Sequence, residues 1–198
     1  MLVAVVLGVV GGTPGRARAD GSFEIIPQLG IGEPTGKGSS GYGPGLGLAV
    51  ALGERITPLF SLHGELGYDW LNFSDVPAGI DISGHVLHLL AAPAFHAASG
   101  QADLSLGPTL GFFQISNDLK ASQLSSQASA TAHGWQLGVR IMVLIAFNPS
   151  TSVGPYFSFA RLWASKVCVA SNGAAEICDD SPSNNDEGFW NLGIAARF

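Results

Sequence analysis

Large side chains recur at every second position through most of the chain. The cleanest run starts at His133 and continues through Trp135, Leu137, Val139, Ile141, Val143, Ile145 and Phe147. A strand turns alternate residues to opposite faces, so period two predicts a sheet with one apolar face. A helix over the same residues would mix Gln136 and Arg140 with Leu137. Period two leaves only Met142 and Leu144 on the unexpected side.

Eight stretches share this pattern: Phe23 to Ile31, Gly41 to Leu52, Leu59 to Leu71, Ile82 to His96, Ala102 to Gln114, Thr131 to Phe147, Val153 to Trp163, and Phe189 to Phe198. Each is long enough to cross a membrane at the roughly 9–11 residues a tilted strand needs. The second puts Tyr42, Pro44, Leu46, Leu48, Val50 and Leu52 outward, with Gly43, Gly45, Gly47, Ala49 and Ala51 inward. The last puts Trp190, Leu192, Ile194, Ala196 and Phe198 on one face and Asn191, Gly193, Ala195 and Arg197 on the other. Prolines 27, 44, 93, 108 and 155 fall in the outward sets, where they mark strand starts or bulges.

The connections alternate in length. Those at 53–58, 97–101 and 148–152 are short, whereas those at 32–40, 72–81, 115–130 and 164–188 are longer. An even-stranded membrane barrel has this asymmetry, with tight turns on the periplasmic side and long loops outside.

Composition supports that reading. Hydrophobic residues make up 46% and charged residues only 12%, too few to coat a water-soluble sphere. No stretch reaches the roughly 18 uninterrupted apolar residues of a spanning helix. Greasy strands without a greasy helix predict an all-β fold, a closed up-and-down antiparallel eight-stranded transmembrane β-barrel. The 27 glycines suit a narrow interior. Residues 2–12 form an apolar run followed by Ala17-Arg18-Ala19, a small-x-small cleavage pattern. Residues 1–19 are therefore expected to be a signal peptide and 20–198 the barrel domain, although no basic residue precedes the apolar run.

The terminal strand ends on an aromatic. Together with the eight alternating stretches and the loop asymmetry, it resembles the small outer-membrane barrel superfamily of OmpA and OmpX types. The resemblance implies residence in the outer membrane of a Gram-negative bacterium. It also implies contact with outer-membrane lipids and lipopolysaccharide, and an assembly signal at Trp190, Leu192, Ile194 and Phe198 read by the outer-membrane assembly machinery. A monomer is expected.

Candidate chemistry is sparse. The net charge of −6 excludes nucleic acid as a partner, because binding it needs a basic surface. Gly41, Gly43, Gly45 and Gly47 lack the turn into a helix that a phosphate-cradling loop requires. His85 and His88 face opposite ways on a strand and cannot share a metal. Ser83 and His85 share a face, with no third group to orient the histidine. The acidic residues Glu176, Asp179, Asp180, Asp186 and Glu187 match no calcium-binding spacing. No catalytic, cofactor or metal site is expected, so the chain is read as non-enzymatic.

Two features remain. Glu24, Gln28, His63, Glu65, Asp69, Asp103, Gln136, Arg140 and Arg197 all fall on inward faces. Charges inside a barrel need partners, so Glu24, Glu65, Asp103, Arg140 and Arg197 are expected to form an interior polar cluster. Glu24 is expected near Arg197, and Glu65 near Arg140. Cys168 and Cys178 flank an Asn-Gly turn signal and are expected to form one disulfide in the last long loop. The function expected is structural or surface-interacting, with a side-chain-filled core. The alternatives are a narrow pore for small or hydrophobic solutes and a lipid A-modifying enzyme.

Overall fold

In lipid every backbone N–H and C=O must be paired within the protein, and a sheet achieves that only by closing on itself. The computed structural model describes residues 22–37, 39–74, 76–121, 126–172, 174–180 and 187–198, and shows that closure. The strands are β1 (Ser22–Gly36), β2 (Tyr42–Gly43), β3 (Gly45–Thr57), β4 (Phe60–Phe73), β5 (Ile80–Ser99), β6 (Ala102–Ala121), β7 (Ser126–Ala146), β8 (Ser152–Ser171), β9 (Ile177–Asp179) and β10 (Glu187–Arg197). Eight of them are staves in the order β10-β1-β3-β4-β5-β6-β7-β8, and β10 also pairs with β8 to complete the ring. All pairings are antiparallel. The proposed signal peptide lies outside the described residues.

The outer face carries the alternating apolar residues. Leu29, Leu48, Leu66, Leu89, Leu110, Leu137 and Ile194 are all large, apolar and exposed. Aromatics flank this belt at both ends, as membrane barrels require. Phe60 packs on Phe95 at the short-turn end with ring centroids 5.5 Å apart. Towards the long-loop end Phe112 packs on Trp135 at 3.8 Å, and Tyr68 on Trp70 at 4.8 Å. Met142 and Leu144, the two exceptions in the sixth stretch, face inward and are almost fully buried.

Several boundaries differ from the sequence reading. The first short turn is only Pro58–Leu59, because β3 runs to Thr57. Arg55 is therefore an inward strand residue and not part of the turn. Tyr42 does not face outward. Pro44 separates β2 from β3, and Tyr42 packs inside against Phe73. Gly41 has a φ of 104° and sits in a turn, so only Gly45 and Gly47 of the glycine series line the lumen.

The largest difference is strand length. Residues 115–121, 126–130 and 164–171 continue as strands where long loops were expected. Their polar outward residues need no lipid, while the ladder keeps pairing beyond the belt. Two of the prolines, Pro93 and Pro155, find an explanation in the ladder. Pairing of β5 with β6 lapses between Ala91–Leu110 and Phe95–Leu106, opposite Pro93, which has no N–H to give. The β7–β8 ladder lapses beside Pro155 in the same way.

Candidate functional site: a layered, sealed lumen

An eight-stranded barrel has an interior just wide enough for its own side chains. Among the described residues, four carboxylates, three guanidiniums and three imidazoles are buried inside it: Glu24, Glu65, Asp69, Asp103, Arg55, Arg140, Arg197, His63, His88 and His96. They are sorted into layers along the barrel axis.

The layer at the short-turn end is a closed ring. His63 Nε2 lies 3.1 Å from Glu24 Oε2, and His63 Nδ1 lies 3.4 Å from Ser61 Oγ. Ser61 Oγ is 2.8 Å from His96 Nε2, and His96 Nδ1 is 3.1 Å from Asp103 Oδ1. Arg55 Nη2 donates to Asp103 Oδ2 at 2.6 Å, and Arg197 Nη1 donates to the same oxygen. Arg197 Nε returns to Glu24 Oε1 at 3.7 Å. Six strands contribute, so the ring ties β1, β3, β4, β5, β6 and β10 together.

Ser61, His96 and Asp103 stand in the order of a hydrolase triad, but the setting opposes that chemistry. Ser61 has no exposed surface, so no substrate carbonyl can reach its oxygen. Two guanidiniums neutralise Asp103, which leaves it little negative charge to stabilise an imidazolium. The strand N–H groups that would bind an oxyanion are engaged in the ladder.

A small apolar cluster of Ile26, Ala51, Met142, Leu144, Tyr156 and Ala195 adjoins the ring. The next polar layer is centred on Glu65, which accepts from Gln28 Nε2 at 2.7 Å and from Arg140 Nη1. Asp69 accepts from Asn191 Nδ2 at 2.8 Å and lies 3.5 Å from His88 Nε2. Tyr156 donates to Asn191 Oδ1 at 2.8 Å. Gly67 makes room for His88, because a Cβ there would collide with His88 Nε2. The cavity beside this layer measures ≈ 30 Å³ and is lined by Gln28, Glu65, His88, Gln136, Tyr156 and Asn191 among others. That is space for a single water.

The third layer, at the long-loop end, is apolar: Leu71, Val86, Phe113, Ile115, Leu162 and Phe189 pack together with Tyr42 and Phe73 beside them. Asn117 Nδ2 donates to the Tyr42 hydroxyl at 2.7 Å. Burial raises the Tyr42 phenol above its ordinary range, so it stays neutral there.

Every inward polar residue read from the sequence is buried in the lumen. Glu65 and Arg140 are paired. Arg197 lies near Glu24, yet its hydrogen bonds go to Asp103 and Ser152. Arg55, Ser61, His88, His96 and Asn191 are members that sequence reasoning left out of the cluster. Parity on β4 and β5 would have found Ser61 beside His63, and His96 beside the inward alanines of its strand. Ser83 and His85 do not form a pair; His85 stacks on Tyr68 with centroids 5.1 Å apart. Cys168 and Cys178 lie directly opposite one another on β8 and β9 and form a disulfide, with Asn172 at φ 49° in the turn between them. That bond consumes both thiols beside Glu176, so no thiolate remains there for a metal. Of the acidic residues, Asp180 lies 3.6 Å from Lys166, and Asp186 lies outside the described residues.

No protein-family model matches the chain, and no curated sequence does. Solved structures do match in shape. Neisserial surface protein A superposes with a TM-score of 0.62 at 13% identity, covering 90% of this chain and 98% of that one. A major outer membrane protein of Thermus thermophilus gives 0.61 at 13% identity, covering 89% and 100%. Ail, the attachment invasion locus protein of Yersinia pestis, gives 0.57 at 15% identity, covering 91% and 100%. The closed ring of staves, the apolar belt and these superpositions make the fold that of the small eight-stranded outer-membrane β-barrels.

Proposed function

We propose that the protein is an integral outer-membrane barrel with a structural and surface-contact role, and that its lumen is a stabilising core and not a conduit. The observation that carries this reading is the stacking of three packed layers across the lumen, with a cavity of ≈ 30 Å³ beside the middle one. The short-turn end faces the periplasm and the long-loop end the exterior, by the alternation of connection lengths. Residues 1–19 act as the signal peptide, residues 20–198 form a monomeric barrel, and Trp190, Leu192, Ile194 and Phe198 present the assembly signal. Lipids of the outer membrane, lipopolysaccharide among them, cover the belt. The protein performs no catalysis on this reading, since its one triad-like arrangement among the described residues is sealed.

A complex of Ail with the heparin analogue sucrose octasulfate exists. This chain, at net charge −6, is poorly suited to such a polyanion, so its surface contacts are of another kind. Planar-bilayer recording tests the reading. The purified protein is expected to add no discrete conductance steps. Steps that vanish when Gln136 on the middle layer is replaced by a bulky residue would establish a pore instead.

A further inference from the structure

The outer wall of the barrel is interrupted where β7 meets β8. Gly134 pairs with Ala164, but the next pair is His133 with Lys166. Ser165 is the extra residue of a β-bulge. Its hydroxyl donates to the His133 carbonyl at 3.2 Å, which pins the bulge. A bulge bends its strand and re-aims the side chains around it. Beside this one the outer face holds a cavity of ≈ 280 Å³, against ≈ 30 Å³ in the sealed middle layer of the lumen. It is too large for a single water.

Register sorts its lining into two levels. The lower level is Leu89, Phe112 and Trp135, opposite one another on β5, β6 and β7. All three are roughly half exposed, and the Phe112 and Trp135 rings pack together. Two residues closer to the long-loop end, about 7 Å along the strands, the partners across the wall are Leu87, Gln114, His133 and Lys166. Polar groups begin at this upper level, and they are donors. The Gln114 amide gives one N–H to Ser116 Oγ at 3.2 Å and keeps a second. His133 offers a ring N–H. Lys166 is the cation at the end of the row. Asp180 lies 3.6 Å from it, but both groups are well exposed, and such a surface pair is weak enough to exchange for another anion. Among the described residues, none that lines the cavity is acidic.

The order of these levels selects the occupant. Aromatics at the border of a lipid belt sit at headgroup depth. Hydrocarbon is matched by Leu89, Phe112 and Trp135, and by Leu110 and Leu137 one level further down. An anion is matched by Gln114, His133 and Lys166. A soluble anion would use the upper level alone, and a bare hydrocarbon the lower. A lipid with an anionic head uses both, with head and chain in the order the wall presents.

We propose that this cavity is a site for one phosphate-bearing lipid of the leaflet at the long-loop end, its phosphate at His133 and Lys166 and an acyl chain laid over Leu89, Phe112 and Trp135. The proposal deepens the surface-contact reading by giving lipid a defined site. It rests on that reading only for which leaflet this is.

The test titrates the full-length mature protein, in a non-ionic detergent, with phosphatidic acid or with diacylglycerol of the same chains, and counts bound lipid by native mass spectrometry. One phosphatidic acid is expected to bind, with diacylglycerol at least about tenfold weaker for want of the charge-assisted hydrogen bonds. His133→Ala together with Lys166→Ala should lower phosphatidic acid affinity by at least about tenfold and leave diacylglycerol unchanged. Heat-modifiable gel mobility shows that the variant is folded. Should it not fold, Lys166→Gln alone, at an exposed position, makes the same comparison. Lys120→Gln, on the outer face away from the cavity, should change nothing. Equal affinity for the two lipids, an unchanged phosphatidic acid affinity in the variant, or an equal loss from Lys120→Gln overturns the proposal. The leaflet is read separately, by a membrane-impermeant maleimide on intact cells carrying Ser129→Cys, on the extension that β5 to β8 form beyond the closed ring. Failure to react there, with reaction in broken cells, would overturn the orientation and leave the lipid-binding result standing.

Discussion

The two ends of the same lumen are built oppositely. At the short-turn end, Glu24, Arg55, His63, His96, Asp103 and Arg197 are buried and bound to one another. At the long-loop end the lumen is filled instead by an apolar cluster of Leu71, Val86, Phe113, Ile115, Leu162 and Phe189. The same strands supply both. What differs is closure. Where all eight staves are paired, charged groups find partners on several strands at once. Beyond the Leu71–Gly84 and Leu162–Glu187 pairs the described strands no longer close a ring, so an inward charge there has fewer cross-strand neighbours. The closed end thus suits fixed polar contacts, and the other end is held by apolar packing.

The largest expected effect breaks closure itself. Phe198 exchanges both backbone hydrogen bonds with Ile25, at 3.0 Å and 3.3 Å, at the seam between the first and last staves. Phe198→Asp should place a charge in the lipid belt beside that seam and abolish assembly. The readout is folded, heat-modifiable protein in the membrane fraction; normal levels would show that the terminal residue is dispensable.

Asp103→Ala comes next, because it strips two guanidiniums and an imidazole of one shared partner. Breaking a buried network in this way should cost about 3–5 kcal/mol, seen as a lower urea midpoint of the barrel in lipid. A change under about 1 kcal/mol would mean that water already reaches the ring. A smaller effect separates the two faces of one strand. Val139 faces lipid and Arg140 the lumen. Val139→Arg should cost about 2–4 kcal/mol if it lies near the midplane. Lipid-phase probes should label a cysteine at 139 more than one at 140, and the reverse order would refute the register.

The smallest effect on the barrel belongs to the extension. Opening the Cys168–Cys178 ring by changing both residues to Ser should release roughly 2.5–3 kcal/mol of loop restriction in the chain-entropy model. That loss falls on β9 and the turn, since the staves are held by their own ladder. Membrane insertion should be unchanged, and protease added to intact cells should cut near Asn172 faster. Slower insertion of the double variant would show that the bridge serves the barrel and not the extension.

Much of this was legible in the chain because the signal is local. Period two sorts Leu137 from Gln136 and Val139 from Arg140 without any knowledge of neighbours, and the lipid belt follows from that sorting. The inward side of Glu24, Glu65 and Asp103 was legible for the same reason. Strand ends were not. Ile115–Ala121 and Ala164–Ser171 lie where outward residues turn polar, so the apolar signal fades although the hydrogen-bonded ladder does not.

By itself, then, the sequence determined the fold class, the face of nearly every strand residue, and the need for interior charges to find partners. Each follows from the fixed alternation of a strand and the cost of an unpaired charge. Only the tertiary structure decided who the partners are. Arg197 chose Asp103, 94 positions away, for its hydrogen bond, and kept Glu24 at 3.7 Å. Asp103 also gathered Arg55, which the chain presented as part of a turn. Register and strand tilt set which inward residues share a level around the barrel, and they are properties of eight strands closing at once. The extension beyond the rim has the same origin, because it exists only where four described staves continue after the others have stopped.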